Sequence, residues 1–401
     1  MDRGVSRIGS RGCYSARCSR SRDRKAVRRA LRHPSRYCPD IESEAVLDHS
    51  QHHIESVVES DVVTDDANAV RIGAPATLDT LRMDCLEAAA PGPGEIKVRI
   101  RASSLNYRDM LVVTGVIPSP EGLIPLSDGA GEVVAVGEGV SEFAVGDAVV
   151  SVFHPGWIDG HMERAQLLAS PGGPKDGFAC EWATRPATHF THAPKGLSHV
   201  ESATLTCAGL TAWRAVVTDG QVKPGATVLI QGTGGVSLFA LQFAKAAGAR
   251  VIALSSGAEK LERLTALGAD HVLNYRETPD WGESVLALTG GLGVDHVIEV
   301  GGPGTLPQSL IAARTGAHLA IIGAVDGLHG NSIPFVTVQM KRLKLLGVTV
   351  GSRRDQIDMV RAIEANGIRP VMDSGFGLDA LADGFRRLQS GGHVGKLWID
   401  I

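Results

Sequence analysis

The sequence predicts an α/β protein with two domains, in which a β-rich domain precedes a doubly wound parallel sheet. Three observations support this. The chain has 401 residues, and a single hydrophobic core stops growing before that length. Residues 70–197 contain short strands between Gly and Pro turns, which is typical of a barrel-like antiparallel domain. Residues 198–350 alternate continuous apolar strands with amphipathic helices, as in a parallel sheet that is covered on both faces.

In the first domain, alternation of apolar and charged residues predicts a strand at 96–100. Bounding glycines predict two more, at 129–137 and 146–150. Residues 171–177 can only be a loop because they contain Pro and Gly in close succession.

In the second domain, apolar runs predict the strands and amphipathic stretches predict the helices, with Gly248 and Gly268 as helix stops. The predicted strands lie at 227–231, 251–254, 271–273, 294–300, 317–322 and 343–350, and the predicted helices at 237–247, 259–267, 281–289, 308–313 and 356–365. A closing strand at 396–401 is expected to return the chain, through residues 351–401, to the first domain.

The first 69 residues differ in composition from the rest of the chain. An arginine-rich block before residue 37 is followed by an acidic block over 40–66, with little hydrophobic periodicity. We predict a disordered leader over 1–69, with the folded protein beginning near Val70. Apolar residues within 26–31 share one helix face among arginines, so a mitochondrial presequence is one interpretation. We favour a disordered extension, or a start site placed too far upstream, on a cytoplasmic protein.

The bulk composition excludes some classes of partner. The net charge is −4 and 43% of the residues are hydrophobic, which gives no electrostatic reason to expect nucleic acid or an anionic membrane surface. No apolar stretch is long enough to span a bilayer. The six cysteines form no C-x-x-C pair, and this favours a reducing compartment. We expect a small-molecule substrate.

The strand at 227–231 leads into a glycine-rich turn, and a helix follows. In the dinucleotide fingerprint G-x-G-x-x-G, the first glycine makes the tight turn and the second lets the main chain approach the pyrophosphate. Ser237 replaces the third glycine, where a small residue suffices and where its hydroxyl is a possible phosphate donor. The helix amino terminus supplies free N–H groups to the phosphates. We assign cofactor contacts to Gly232, Gly234, Gly235, Val236 and Ser237.

The choice of nicotinamide cofactor follows from charge. NAD sites carry an acid about 20 residues beyond the turn, whereas residues 254–257 of this chain contain none. Ser255, Ser256, Lys260 and Tyr275 are candidate partners for a 2′-phosphate. We therefore favour NADPH over NADH. The alternatives are a solvated surface lysine at Lys260 and an edge aromatic at Tyr275.

Several segments together resemble the medium-chain dehydrogenase/reductase superfamily, and most of all its zinc-independent, quinone-oxidoreductase-like members. The segments that carry this resemblance lie at 104–109, 127–133, 207–213, 223–225, 268–272 and 395–396. The resemblance implies a GroES-like domain at 70–197, a Rossmann domain at 198–350, and an active site in the cleft between them. It also implies a homodimer, built partly by pairing of the α/β sheets.

The resemblance also carries departures at the metal positions. Zinc-dependent members have a Cys where this chain has Asn106, and a His-Glu pair where it has Ser127 and Asp128. Cys207 lies near the position of the third ligand, but a catalytic zinc needs three protein ligands. We interpret Cys207 as a small buried hydrophobe and predict that no zinc is bound. A zinc alcohol dehydrogenase stays open as an alternative.

Without a metal, hydride transfer must depend on orientation and on hydrogen-bond donors. We predict an NADPH-dependent reductase of activated carbonyl, enone or quinone substrates, or an alcohol dehydrogenase, with Asn106, Tyr107 and Asp128 as catalytic candidates. Tyr107 is the favoured proton donor, although a packed aromatic is equally compatible with the sequence. Asp109 and Asp128 have a structural alternative, as capping residues or as partners of Arg108.

Four further residues complete the predicted cofactor contacts. Thr211 lies on a helical stretch near the cleft and is assigned to the nicotinamide. Ser352 and Arg353 follow the last α/β strand and are expected to close over the cofactor. Gly323, which follows the strand at 317–322, is included as well. The alternative for Arg353 is a surface charge. The competing hypothesis for the whole chain is a non-catalytic NADPH-binding protein of the same fold.

Overall fold

The computed structural model of the protein describes residues 66–87, 89–327 and 333–401. The predictions for residues 1–65, including the leader and its targeting alternative, lie outside the described residues. The predicted start near Val70 is four residues too late, because the first strand already begins at Asp66. Ala67 and Ala69 are buried in that strand, and such small side chains gave little hydrophobic signal in the sequence.

The strands of the described residues are numbered in chain order. They are β1 (Asp66–Ile72), β2 (Leu81–Glu87), β3 (Glu95–Ser104), β4 (Ala130–Val136), β5 (Ala148–Ser151), β6 (Trp182–Pro186), β7 (Phe190–His192), β8 (Thr227–Gln231), β9 (Arg250–Ser255), β10 (His271–Asn274), β11 (Val294–Glu299), β12 (Ala313–Ile321), β13 (Lys344–Gly347), β14 (Met372–Gly377) and β15 (Lys396–Asp400).

The α-helices are numbered in the same way. They are α1 (Tyr107–Val113), α2 (Arg164–Leu167), α3 (His199–Ala203), α4 (Leu210–Trp213), α5 (Gly235–Ala246), α6 (Ala258–Ala266), α7 (Trp281–Leu288), α8 (Leu306–Ala312), α9 (Phe335–Met340), α10 (Arg353–Asn366) and α11 (Leu381–Gln389). Two π-helical segments, Leu205–Gly209 and Arg214–Thr218, adjoin α4 on either side.

The β-rich domain is built on a sheet of order β14-β15-β3-β4-β5-β7, with β6 also paired to β3. Alternate residues of β3 point into its core, with Ile96, Val98 and Ile100 all buried. Strand β15 pairs antiparallel to β3, with Trp398 opposite Ser104. The carboxyl-terminal strand therefore lies beside the end of β3, where α1 begins.

The second sheet has the order β10-β9-β8-β11-β12-β13, and all its strand pairs are parallel. Every residue of β8 is buried. Leu229 packs into a core on one face and Ile230 into a core on the other, so helices cover both sides. This confirms the predicted fold class of a GroES-like domain joined to a doubly wound sheet. The chain order reverses between β8 and β11, which is where such sheets bind ligands.

The elements that were predicted differ from the observed ones mainly in where they end, whereas β1, β2, β6, β7, β14 and several helices, α9 and α11 among them, were not predicted. Strand β12 begins four residues before the predicted 317, and β13 is shorter than the predicted 343–350. Val350 adopts a positive φ of 56°, so the chain has left the sheet by that point. Strands β6, β7 and β14 gave no clear pattern because distant partners define them.

None of the helices in the described ranges is long and apolar enough to cross a bilayer.

Candidate nucleotide site and adjoining polar cluster

The glycine-rich turn lies at the carboxyl end of β8, beside the point where the sheet order reverses. Gly232 has a φ of 76°, which strongly favours glycine. Gly234 caps α5 in an extended conformation, and the helix begins at Gly235. A Cβ added to Gly232 or Gly234 would meet no atom within 4 Å. The turn therefore presents unpaired helix N–H groups to open space, as a diphosphate site requires.

The Ser237 hydroxyl was considered as a possible phosphate donor, but the structure gives it a partner within the protein. Its Oγ donates a hydrogen bond to the Gln231 carbonyl at 2.6 Å, and the side chain is buried. The hydroxyl is thus used within the protein and does not face a phosphate. Ser237 instead ties the first turn of α5 to the end of β8, which is the packing role of the third fingerprint glycine.

A buried polar network that the sequence analysis missed supports the turn from behind. The Gln231 Nε2 donates to Glu299 Oε2 and to Ser309 Oγ, each at 2.8 Å. The other Glu299 oxygen accepts from the main-chain nitrogens of Gly301 and Gly302 at 3.0 Å. The sequence signal that could have revealed this network was a polar residue at the end of each of two buried strands, Gln231 in β8 and Glu299 in β11. The network fixes the β11–α8 loop beside the candidate nucleotide site.

The residues considered for a 2′-phosphate gather at the carboxyl ends of β9 and β10. Ser255 ends β9, and its carbonyl accepts from the Tyr275 nitrogen at 3.1 Å. Ser256 lies in the β9–α6 turn and is partly exposed. Lys260 lies in the first turn of α6, where its Nζ donates to the Gly391 carbonyl at 2.9 Å. The structure therefore brings these four residues to one edge of the sheet.

Gly323 has a packing reason to be glycine. A Cβ at this position would lie 2.1 Å from the Val300 carbonyl oxygen, which is far inside contact distance. The chain after β12 therefore passes directly over the end of β11. This close contact with the main chain is sufficient to explain why the position is glycine, without reference to a cofactor.

The side chains of Ser352 and Arg353, which were expected to close over the cofactor, make contacts within the protein. The Ser352 Oγ donates to Asp355 Oδ2 at 2.7 Å and caps α10. Arg353 is buried and donates from Nε to the Phe190 carbonyl at 3.0 Å, and from NH2 to Glu142 Oε1 at 2.6 Å. Both acceptors belong to the β-rich domain. Arg353 therefore anchors α10 to that domain, and it is not a surface charge.

A buried polar cluster forms where β3 ends and α1 begins. At its centre, the Asn106 Oδ1 accepts from Lys396 Nζ at 2.6 Å. The Asn106 Nδ2 donates to Asp128 Oδ2 at 2.8 Å and to Asp109 Oδ2 at 3.1 Å. Asp109 also accepts from the Asn106 nitrogen and from Arg108, which matches the capping and pairing alternative for this residue. Both polar atoms of the Asn106 side chain are therefore hydrogen-bonded within the cluster.

Asp128 lies behind Asn106 and is fully buried. It accepts from Ser104 Oγ at 2.5 Å and from Ser127 Oγ at 2.9 Å. Burial raises its pKa to about 6, although the Lys396 ammonium acts in the opposite direction. A fully buried carboxyl cannot touch a substrate, so its assignment as a catalytic group is corrected to a positioning role.

Lys396 joins the nucleotide turn to this cluster. Its Nζ also donates to the Leu105 carbonyl at 2.7 Å. Its methylenes pass over the turn so closely that a Cβ on Gly235 would lie 2.5 Å from Lys396 Cδ. The preceding Gly395 donates from its nitrogen to the Thr233 carbonyl at 2.8 Å. From the sequence, Lys396 was recognised only as part of a family motif, and its place between the turn and the cluster was not predicted.

Two other candidates keep unused hydroxyl groups. Tyr107 is the first residue of α1 and is 37% exposed. Thr211 lies in α4 and is almost fully buried. Neither hydroxyl has a hydrogen-bond partner within the described residues. Tyr107 is therefore the solvent-accessible acid beside the cluster, whereas Asn106 and Asp128 form its buried support.

The residues at the expected zinc positions do not fit a zinc ion. The Asn106 oxygen accepts from an ammonium group, and a lysine cation at 2.6 Å opposes a second cation beside it. Burial raises the pKa of the Cys207 thiol further above its ordinary value, whereas zinc binds the thiolate. Across the described ranges, no group of three or more His, Cys, Asp or Glu side chains is arranged to hold a metal.

A GroES-like domain joined to a nucleotide-binding parallel sheet, with a polar cluster at their junction, defines an oxidoreductase of the dehydrogenase/reductase class. Family models agree: the alcohol dehydrogenase GroES-like domain matches residues 92–195, and the zinc-binding dehydrogenase domain matches residues 235–365. A zinc-type alcohol dehydrogenase-like protein of Schizosaccharomyces pombe is 44% identical over 316 residues, which cover 77% of this chain and 91% of the relative. The chain belongs to the medium-chain dehydrogenase/reductase superfamily.

Solved structures show the same likeness. An NAD-dependent alcohol dehydrogenase is 35% identical, with a TM-score of 0.76 and coverage of 83% of this chain and 99% of its own. The quinone oxidoreductase of Pseudomonas syringae pv. Tomato DC3000 is 25% identical, with a TM-score of 0.71 and coverage of 84% and 100%. The resemblance noted from sequence motifs is therefore confirmed at the level of the superfamily.

Proposed function

We propose that the protein is a zinc-independent, NADPH-dependent oxidoreductase that transfers a hydride between NADPH and a small activated carbonyl, enone or quinone, or an alcohol. The observation that carries the proposal is the position of Lys396. Its ammonium is buried 2.6 Å from Asn106 Oδ1 while its methylenes cover Gly235 of the nucleotide turn. The chain's own cation thus occupies the polar cluster where zinc-dependent relatives hold their metal ligands.

The preference for NADPH is supported by charge at the end of β9. Residues 254–257 carry no carboxylate to hold a ribose 2′-hydroxyl, and Lys260 lies one turn into α6. One of the related structures is named an NAD-dependent enzyme, so both cofactors belong in the test. We expect NADPH to bind more tightly than NADH because only NADPH carries the phosphate that Lys260 can pair with.

The chain's residues have separable tasks in this proposal. When bound, NADPH supplies the hydride from its nicotinamide ring. The turn around Gly234 binds the diphosphate, and the Lys396–Asn106 pair holds the cleft wall rigid. The product oxygen or carbon also needs a proton, and the exposed Tyr107 hydroxyl is the proposed donor. Asp128 and Asp109 fix Asn106 from behind.

One observation favours the second candidate, a non-catalytic NADPH-binding protein. The acid with the raised pKa, Asp128, is sealed behind Asn106, which leaves Tyr107 as the accessible proton donor of the cluster. A measurement of NADPH turnover distinguishes the catalytic from the non-catalytic function. NADPH binding with no oxidation of NADPH in the presence of quinones, 2-alkenals or enones would establish the non-catalytic function.

A homodimer is proposed from the open edge of the second sheet. Strand β13 is an edge strand, and the adjoining α9 exposes Phe335 at 74% and Met340 at 75%. Exposed apolar residues beside an unpaired strand edge favour pairing with a second copy. Light scattering on the purified protein is expected to give twice the mass of the chain.

The nucleotide site itself is tested by Gly234→Val. An added Cβ meets no protein atom within 4 Å and the backbone conformation suits any residue, so we expect the variant to fold. We expect the Kd for NADPH to rise about 100-fold, because the side chain fills the diphosphate position. The matched control is Gly156→Val, whose nearest neighbour is the flexible Gln166 side chain. Unchanged affinity in Gly234→Val, at an unchanged unfolding temperature, would refute the site.

A further inference from the structure

A second polar cleft lies far from the nucleotide turn, on the amino half of the same parallel sheet. Its volume is about 310 Å³, and it is bordered by β11, β12 and β13 and by the segment that follows the second π-helical segment. The cleft is independent of the proposed hydride transfer, since the glycine turn lies at the opposite, carboxyl end of β8. None of the functions described above uses its side chains.

Three nitrogen-bearing side chains form a row across this cleft. His296 of β11 is directly opposite His318 of β12, and His318 is directly opposite Lys344 of β13. Residues that are opposite one another in neighbouring strands lie on the same face of the sheet. The centroids of the two imidazole rings are 5.9 Å apart, and the ring planes are inclined at 64°. Register therefore places two imidazoles and one ammonium side by side along one wall.

The imidazoles are buried without partners. His318 is 8% exposed, yet neither its Nδ1 nor its Nε2 has a hydrogen-bond partner, and the buried Nδ1 of His296 has none either. Buried polar atoms are almost always hydrogen-bonded, and leaving one unsatisfied costs about 1–3 kcal/mol. Unsatisfied nitrogens disfavour this closed arrangement, and because they have almost no accessible surface, a ligand in the cleft reaches them only when the rings turn toward it.

The charges around the row favour an anion. Asp295 accepts from Arg314 Nε at 2.6 Å and from the Thr227 nitrogen at 2.7 Å. Asp219 is likewise engaged in an ion pair, since Arg214 Nε lies 2.8 Å from its Oδ2, although this buried oxygen accepts no hydrogen bond. By contrast, the ammonium groups of Lys344 and Lys223, which both border the cleft, form no ion pair within the described residues. The carboxylates are thus already paired, and the excess charge of the cleft is positive.

We propose that this cleft is a binding site for a small tetrahedral oxyanion, either a free phosphate or sulfate ion or the phosphate group of a small phosphomonoester. His318, His296 and Lys344 would donate to its oxygens. The volume accommodates such a group, and once the rings turn toward the cleft, charge-assisted bonds to an oxyanion would satisfy the imidazole nitrogens. The site goes beyond the proposed oxidoreductase function.

Proton uptake should accompany binding. Burial lowers the pKa of His318 and that of His296, the latter to about 4. Lys344 lowers both pKa values, and His318 and Arg314 lower that of His296 as well. Asp295 raises the His296 pKa and Asp219 that of His318, and Lys223 also borders the cleft. Both imidazoles are therefore neutral at pH 7, and an anion raises their pKa values by favouring the protonated forms.

The test is a calorimetric titration of the full-length protein with sulfate, whose charge is constant between pH 8 and pH 6, at fixed ionic strength in chloride. We expect saturable binding that strengthens as the pH falls across this range, because binding is linked to proton uptake. Inorganic phosphate and glycerol 2-phosphate form two further arms at one pH. Tighter binding of the ester identifies a phosphomonoester, and tighter binding of phosphate identifies the free ion.

Two variants and one control complete the experiment. His318→Asn and Lys344→Gln are each expected to weaken sulfate binding about tenfold. Lys344 is exposed, so its variant remains informative if the His318 variant unfolds. His271→Asn, an exposed histidine on the far edge strand β10 of the same sheet, should change nothing. Absence of sulfate binding would overturn the proposal. Binding that is independent of pH, or equal in all variants, would mean an adventitious ion only and would overturn it as well.

Discussion

The glycine turn and the polar cluster lie next to each other, but the chain builds them in opposite ways. The turn uses consecutive residues, 232–237, between a strand and a helix. The cluster joins residues from the ends of β3, the segment before β4, and β15, and the contact from Lys396 to Leu105 spans 291 positions. A local motif carries the nucleotide site, whereas sheet pairing assembles the cluster. Its function therefore depends on the whole fold.

Lys396 belongs to both regions, and its substitution tests how far they are coupled. In Lys396→Met an apolar side chain of similar length still covers Gly235, but Asn106 and the Leu105 carbonyl lose their donor. We expect kcat to fall about 100-fold or more, since misplacement by 1 Å costs that much, with little change in the Kd for NADPH. The pKa of Asp128 should rise further in this variant, because the lysine charge lowers it in the wild type.

The control for that variant is Lys341→Met. Lys341 is another lysine held by main-chain carbonyls, those of Leu310, Ile311 and Ala313, but it lies in the second domain away from the cluster. It should lower stability and leave turnover of the folded enzyme intact. Equal losses of kcat in both variants would show that Lys396 acts only through stability.

Asp128 tests the cluster through the pH dependence of stability. Its pKa in the folded protein is about 6, above its ordinary 3.8. Between these values the folded state keeps a proton that the unfolded state has lost, so stability falls as the pH rises through this window. The loss is on the order of 3 kcal/mol. Asp128→Asn lacks this titration, so its stability relative to the wild type should improve by that amount between pH 4 and pH 7.

Urea unfolding at several pH values measures this difference directly. A difference between the two proteins that stays constant with pH would contradict the raised pKa and the sealed position of Asp128. The turn offers no comparable titration, because its proposed ligands are main-chain N–H groups.

Arg353 separates domain anchoring from cofactor binding. Arg353→Gln removes the bonds to the Phe190 carbonyl and to Glu142, and we expect about 2 kcal/mol lower stability to unfolding. The Kd for NADPH should stay unchanged. The neighbouring Arg354→Gln removes only an exposed pair with Asp358 and should cost about 0.5 kcal/mol or less. A selective loss of NADPH affinity in Arg353→Gln would restore the expectation drawn from the sequence.

The smallest expected effect concerns cofactor choice at the far end of the nucleotide site. Lys260→Ala should weaken NADPH binding about tenfold and leave NADH binding unchanged, because the lysine pairs only with the 2′-phosphate. Lys245→Ala, which removes an exposed pair with Asp270, is the matched control. Equal weakening of both cofactors by Lys260→Ala would argue against a phosphate pocket at this position.

The sequence by itself determined the elements of the second domain and the nucleotide turn, because apolar periodicity and glycine positions act over a few neighbouring residues. It also offered capping as an alternative role for Asp109, which lies in the first turn of α1. Only the tertiary structure decided that Asp128 is sealed, that Arg353 anchors a domain, and that Lys396 bridges turn and cluster. Burial and long-range pairing depend on which distant strand lies alongside, and no local pattern records this.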